Sequence, residues 1–75
     1  MVDLKTLVGK KVKLTDIDNY TYTAEVSEYI YPEDNVPAEI EAIVLDYPIR
    51  SDGYKYSNLI EFSSNEIKDI EIISQ

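Results

Sequence analysis

Apolar and polar residues alternate with a period of two along most of this chain. The longest run places Tyr20, Tyr22, Ala24 and Val26 on one side and Thr21, Thr23, Glu25 and Ser27 on the other. A shorter run sets Val12 and Leu14 against Lys11, Lys13 and Thr15. Successive side chains of a strand point to opposite faces, so this period marks half-buried strands. Ala42, Ile43, Val44 and Leu45 are contiguous and apolar, which predicts burial on both faces for part of a third strand. The pattern predicts strands near residues 10–15, 20–31, 40–47, 54–62 and 69–73. It slips at Glu28-Tyr29-Ile30-Tyr31, where so long a strand is expected to bend at a bulge.

The segments between the strands carry turn chemistry. Leu4, Leu7 and Val8 recur at helical spacing behind Asp3, a fitting N-cap, and Gly9 stops the turn. Residues 3–8 therefore read as one short helical turn or an extended lead-in. Asp16-x-Asp18-Asn19 resembles the opening of a calcium loop. It lacks the oxygen ligand, glycine and bidentate glutamate needed at Tyr20, Thr21 and Ser27. Asp and Asn turn a chain by bonding their own backbone, so this segment reads as a hairpin turn. Pro32 and Pro37 bracket a loop, and Pro48 marks the end or an edge of the third strand. Arg50 to Gly53 forms a turn, with Gly53 suited to positive φ. Ser63-x-x-Glu66 is a capping-box pattern. The isoleucine-rich IKDIEII that follows favours a strand. One helical or 3₁₀ turn near residues 63–67 is expected before it.

Five short strands with frequent turns predict an all-β sandwich or barrel. At 75 residues a two-sheet sandwich is too large. A strongly bent five-stranded barrel spanning residues 1–75 as one domain fits better, with a thin core.

Composition narrows the function. There is no cysteine and no histidine, which removes disulfides, thiolate chemistry and the commonest general base and metal ligand. Only Gly9 and Gly53 are available, so no phosphate-cradling loop of known form can be built. No enzyme, cofactor or metal site is expected. Glu33, Asp34 and Asn35, with Glu39 and Glu41, form the densest acidic patch and read as a solvated loop. The N-terminal residues have neither a signal core nor a cleavage motif, and no apolar run spans a bilayer. The expected location is cytoplasmic. Net charge is −8, distributed unevenly: the first thirteen residues hold four lysines against Asp3, and the rest holds three bases against fourteen acids. That field repels phosphate backbones.

The order of elements resembles the Sm-like (LSm) superfamily, and its short bacterial members above all. A helical turn, LVGKKVKL, an acidic turn, YTYTAEV, a variable loop, EAIVLD, a hairpin, LIEF and EIKDIEII follow one another, covering Leu4 to Ile73. The resemblance implies an SH3-like barrel of five bent strands with a short N-terminal helical turn. It also implies rings made by pairing the fourth strand of one subunit with the fifth of the next, and single-stranded RNA held inside the ring. In the family's RNA loop Asn35 takes the asparagine's place, and Tyr31 or Tyr29 the stacking place. The family's Arg-Gly pair before the last strand is not matched, since SSNEI stands there. A missing cation removes a charge-assisted contact.

Seven tyrosines offer apolar area with a polar tip. Tyr22 and Tyr47 are expected in the core. Tyr29, Tyr31, Tyr54 and Tyr56 are expected in a surface patch, and Leu59, Ile70 and Ile72 on exposed edges of the fourth and last strands. The leading expectation is a non-catalytic module that associates with itself, as a dimer or small oligomer, or with another protein. A single-stranded RNA or DNA binder is the alternative, using Asn35 with Lys10, Lys11 and Lys13. An acidic nucleic-acid mimic is a third option.

Overall fold

The structure is a computed structural model, which describes residues 3–74. Its regular elements are a 3₁₀ turn (Leu4–Leu7), β1 (Lys11–Asp16), β2 (Thr21–Ile30), a 3₁₀ turn (Pro32–Asp34), β3 (Ala42–Arg50), β4 (Ile60–Ser63), a 3₁₀ turn (Ser64–Glu66) and β5 (Ile67–Ser74). All strands are antiparallel and form one sheet in the order β4-β3-β2-β1-β5. The fold is therefore all-β. The sheet is not closed by hydrogen bonds, and β4 and β5 are its two edges.

A flat sheet with side chains on both faces is about 10 Å thick at its packing distance. Here the smallest extent is 23 Å and the radius of gyration is 11.5 Å. The sheet is rolled, with its apolar face inside. Val12 and Leu14 from β1, Val26 from β2, and Ile43 and Leu45 from β3 are fully buried there. Leu4 and Leu7 of the first 3₁₀ turn are buried with them, held by an Asp3 side chain that accepts from the Lys5 amide. Gly9, at φ 85°, then reverses the chain into β1, and its amide donates to the Val26 carbonyl.

The bends are made by bulges, one of them where the alternation slips, with Ser27 the extra residue just before Glu28, and one nearer the start of β2. β2 and β3 lose register between Thr23 and Glu25 and again between Val26 and Glu28. At the first, Tyr47 and Pro48 together stand opposite Ala24 alone. This corrects two expectations. Tyr47 is not in the core: it sits at φ 48°, with its side chain exposed. Pro48 does not end β3 but is buried within it, and the strand runs on to Arg50. A bulge interrupts the ladder, so a residue without an N–H fits there. The extra residue also reverses facing, which turns Tyr47 out and Pro48 in.

β4 is shorter than the expected 54–62. Residues 51–59 hold only one bridge, Ile49 to Lys55. The Asp52-Gly53 turn, with Gly53 at φ 93°, and side-chain contacts of Tyr54 and Tyr56 use the alternation that resembled a strand. The expected turn after β4 is present. The Glu66 carboxylate accepts from the Ser63 amide and hydroxyl, at 3.0 and 2.8 Å. β5 extends in both directions beyond the expected 69–73.

The hairpin between β1 and β2 is pinned by Asp16, a buried carboxylate. Its Oδ1 accepts from the amides of Asp18 and Tyr20 at 2.9 and 3.0 Å, and its Oδ2 accepts from the Tyr22 hydroxyl at 2.8 Å. Asn19 supplies the left-handed residue at φ 69°. The acidic segment is a turn, built by the chemistry that short polar side chains provide.

Removing Asp16 strands three donors. Asp16→Ala is expected to cost about 1–3 kcal/mol in urea unfolding, the range for buried groups left without partners. Asp16→Asn should cost less, because its carbonyl oxygen still serves the two amides and its N–H can face the Tyr22 oxygen. Tyr47→Gly should be neutral or stabilising by up to about 1 kcal/mol, since a left-handed backbone strains any residue with a Cβ. A loss of stability in Tyr47→Gly would show that the exposed ring packs more than its accessibility indicates.

Candidate interaction surfaces

The tyrosines and the apolar edge residues singled out in the sequence fall in three regions. The first gathers around Arg50, the last residue of β3, in register with Tyr22. Its guanidinium carbon lies 4.7 Å from the Tyr20 ring centre, 5.1 Å from Tyr54 and 6.0 Å from Tyr56. These are cation–π distances. Nε and Nη2 donate to the two carboxylate oxygens of Asp52 at 3.0 and 2.9 Å, and Nη1 donates to the Tyr56 hydroxyl at 3.2 Å. The Tyr54 and Tyr56 rings meet edge to face, centres 4.8 Å apart. Tyr56 leans on Tyr22, and Tyr22 on Phe62. A continuous chain of contacts thus joins Asp16 to Arg50 and Asp52. Tyr20 and Tyr54 remain about half exposed.

The electrostatics follow from these bonds. The bidentate bond to Asp52 raises the Arg50 pKa above its ordinary range, and burial only partly opposes it. The same bond, then the Tyr54 amide, lowers the Asp52 pKa. Burial, and next the hydrogen bond to the Asp16 carboxylate, pushes the Tyr22 phenol well above its usual value.

Tyr29 and Tyr31 form a second region. Their rings also meet edge to face, at 4.8 Å. The Tyr29 hydroxyl donates to Glu41 at 2.8 Å, and that bond first, then burial, pushes its pKa up to about 12. Tyr22 and Tyr29 are seven positions apart along β2, about 20 Å of strand. The four tyrosines of the expected patch therefore form two pairs, at opposite ends of β2. Asn35 ends the 3₁₀ turn that follows Tyr31, but its side-chain amide donates to the Ile40 carbonyl at 2.7 Å and closes its own loop.

Lysines 11 and 13 project from the outer face of β1, where acids flank them. Lys11 is in register with Glu25, which is itself opposite Asp46, and Lys13 lies 3.9 Å from Glu71. Lys10 is at the entry to β1, where its carbonyl accepts from the Val26 amide. The basic N-terminal segment is thus interleaved with carboxylates and makes no uninterrupted basic face.

The third region is the pair of sheet edges. β4 presents Leu59, just before it, half exposed. β5 is bulged at Lys68 and Ile73, each an extra residue relative to β1, which leaves Asp69–Ile72 as its regular stretch. Within it Ile70 is not a surface residue. It is in register with Leu14 and 4% exposed, so the expectation that it lies on an interaction surface is corrected. Ile72 opposes Val12 on the core-facing side, yet is 37% exposed because the sheet ends there. Ile73 is exposed beside it.

Tyr20 and Arg50 were not singled out in the sequence. The signal for them was Arg50-x-Asp52, a bidentate pair across a turn, followed by tyrosines at 54 and 56. Among the described residues no group of three or more acids could hold a metal ion, no pocket is formed, and no helix is long and apolar enough to cross a membrane. Compared with known protein families, curated proteins and solved structures, the chain matches none.

A phenol with a raised pKa binds its proton more tightly in the folded state than in the unfolded chain. Its stabilising contribution is complete below the unfolded value of about 10 and is lost as pH rises beyond it. Urea stability is therefore expected to fall above about pH 10, and to fall less steeply in Tyr22→Phe. Parallel pH profiles of the two proteins would show that Tyr22 does not carry the effect.

Proposed function

We propose that this chain is a small non-catalytic β-domain that works by association through the two edges of its sheet, with copies of itself or with another protein. The observation that carries this reading is the match between the edges. β4 is four residues long, Ile60–Ser63, and the regular part of β5 between its bulges, Asp69–Ile72, has the same length. Both edges carry core-type side chains that the sheet leaves partly uncovered, Ile60 beside Leu59 on one and Ile72 on the other. An edge strand presents a row of unpaired N–H and C=O groups, which is a template for another strand. The element order supports the resemblance to Sm-like barrels, in particular the N-terminal turn and the 3₁₀ turn between β4 and β5. On that reading the rolled sheet is an SH3-like barrel whose last gap is filled by a neighbour's strand.

Single-stranded nucleic acid is the weaker reading. It needs the lysines of β1 free to meet phosphates, and Lys13 is engaged by Glu71. At −8 per chain, repulsion favours a dimer or small oligomer over a large ring, and association should strengthen as salt screens the charge.

Sedimentation of the full chain tests this. Concentration-dependent association is expected, stronger at high salt, and weakened about ten-fold or more by Ile72→Lys, which places a charge in the joint. Leu59→Lys should act in the same direction. A strict monomer at high concentration in both low and high salt would overturn self-association. It would leave only another protein's strand to cover the edges.

A further inference from the structure

We propose that the first joint made by two copies of this chain is β5 against β5, antiparallel about a two-fold axis at Glu71. The proposal rests on the edge reading and names which edge meets which. The two edges differ in which residues have free backbone groups. In an antiparallel pair, residues that exchange hydrogen bonds lie opposite one another and alternate with residues whose N–H and C=O point away. At β4 the Ser64 amide donates to the Glu41 carbonyl, one position beyond the pair of Ala42 and Ser63. Ile60 and Phe62 therefore bond to β3, and Glu61 and Ser63 turn their N–H and C=O to the open side. In β1 the Asp16 amide donates to the Tyr20 carbonyl, and the Ile17 amide to the Glu66 carbonyl. Thr15 and Lys13 thus bond to Asp69 and Glu71 of β5, and Ile70 and Ile72 are turned to the open side.

These open groups belong to opposite faces of the sheet. At β5 they sit on core-facing residues, since Ile70 opposes Leu14 and Ile72 opposes Val12. At β4 they sit on the outer face, where Glu61 shares a row with Val44 and Glu28. Directly opposed residues of an antiparallel pair share a face. An antiparallel joint of β4 with another copy's β5 would therefore set Glu61 beside Ile70 or Ile72, and join the solvent face of one sheet to the core face of the other. A parallel joint avoids this, but parallel pairing is slightly less stable per residue. Like edges have no such conflict.

Of the two like joints, β5 with β5 is the better. The Glu66 carboxylate already holds the Ser63 amide, which leaves Glu61 as the residue of β4 with both groups free. Two such residues meeting would oppose two glutamates in a row that carries no base. β5 offers Ile70 and Ile72 complete. With the axis at Glu71, Ile70 of each copy meets Ile72 of the other, each pair exchanges two bonds, and the partly exposed Ile72 packs on isoleucine. The two Glu71 side chains then stand opposite one another on the outer face, each with Lys13 of its own copy at 3.9 Å. Like charges directly opposite are unfavourable, so the joint is weak at low salt and strengthens as salt screens them.

The chain contains no cysteine, so one introduced thiol reads the geometry. Opposed strand residues have Cα atoms about 4.5–5.5 Å apart, within disulfide reach. Glu71→Cys is expected to form a covalent dimer under mild oxidation, at concentrations where Glu61→Cys stays monomeric. Glu71→Gln removes the opposed charges and is expected to tighten the dimer about two- to five-fold at low salt and to flatten its salt response. Glu61→Gln should change neither, and circular dichroism of each variant should match the parent. A covalent dimer that forms as readily with Glu61→Cys, or only in a mixture of Glu61→Cys with Glu71→Cys, overturns the proposal and leaves edge association standing. So does a Glu71→Cys chain that stays uncrosslinked while the parent associates in sedimentation. A parent that sediments as a strict monomer, with no crosslink in any variant, overturns the proposal and self-association together.

Discussion

One sheet has to cover its own apolar face, and most features of this molecule follow from that. A chain of 75 residues cannot supply a second layer, so the five strands must roll until Val12, Val26, Ile43 and Leu45 face one another. Rolling requires local bends, and bends require extra residues. The bulges between β2 and β3 supply them, at the cost of a tyrosine held in a left-handed backbone and a proline inside a strand. The two ends of the sheet do not join, so the same constraint leaves two edges with partly covered isoleucines. The geometry that makes the core also leaves the two edges open.

The open ends of the roll are closed by side chains. At one end the first 3₁₀ turn inserts Leu4 and Leu7. Toward the start of β2, Asp16 holds the β1–β2 turn and Tyr22 together, and aromatic contacts continue to Tyr56 and Arg50. A buried carboxylate is costly unless its lone pairs are used. Here three donors use them, so one residue shapes the turn and ties it to the aromatic platform.

The strands were legible in the sequence where alternation was strict. Val12, Leu14, Tyr22, Ala24 and Val26 are all buried, as the period of two requires. Gly53, the Asp16 turn and the Ser63–Glu66 capping box were legible because each carries specific local chemistry. Tyr47 and Pro48 were not. A bulge changes which face each later residue occupies, and nothing in the local sequence marks it except the proline. Ile70 and Ile72 look alike in sequence, and only their register against Leu14 and Val12, with the position of the sheet's end, separates a buried residue from an exposed one. The Arg50 platform draws on β2, β3 and the following loop, so no single segment could reveal it. Asn35 was read by its place in a resemblance, whereas its amide closes its own loop.

Amide hydrogen exchange as a function of protein concentration reads each strand separately. If the edges pair, protection along β4 and along Asp69–Ile72 of β5 rises with concentration, while β1, β2 and β3 change little. Exchange at those two edges that is independent of concentration, with new protection appearing elsewhere on the sheet, would contradict it.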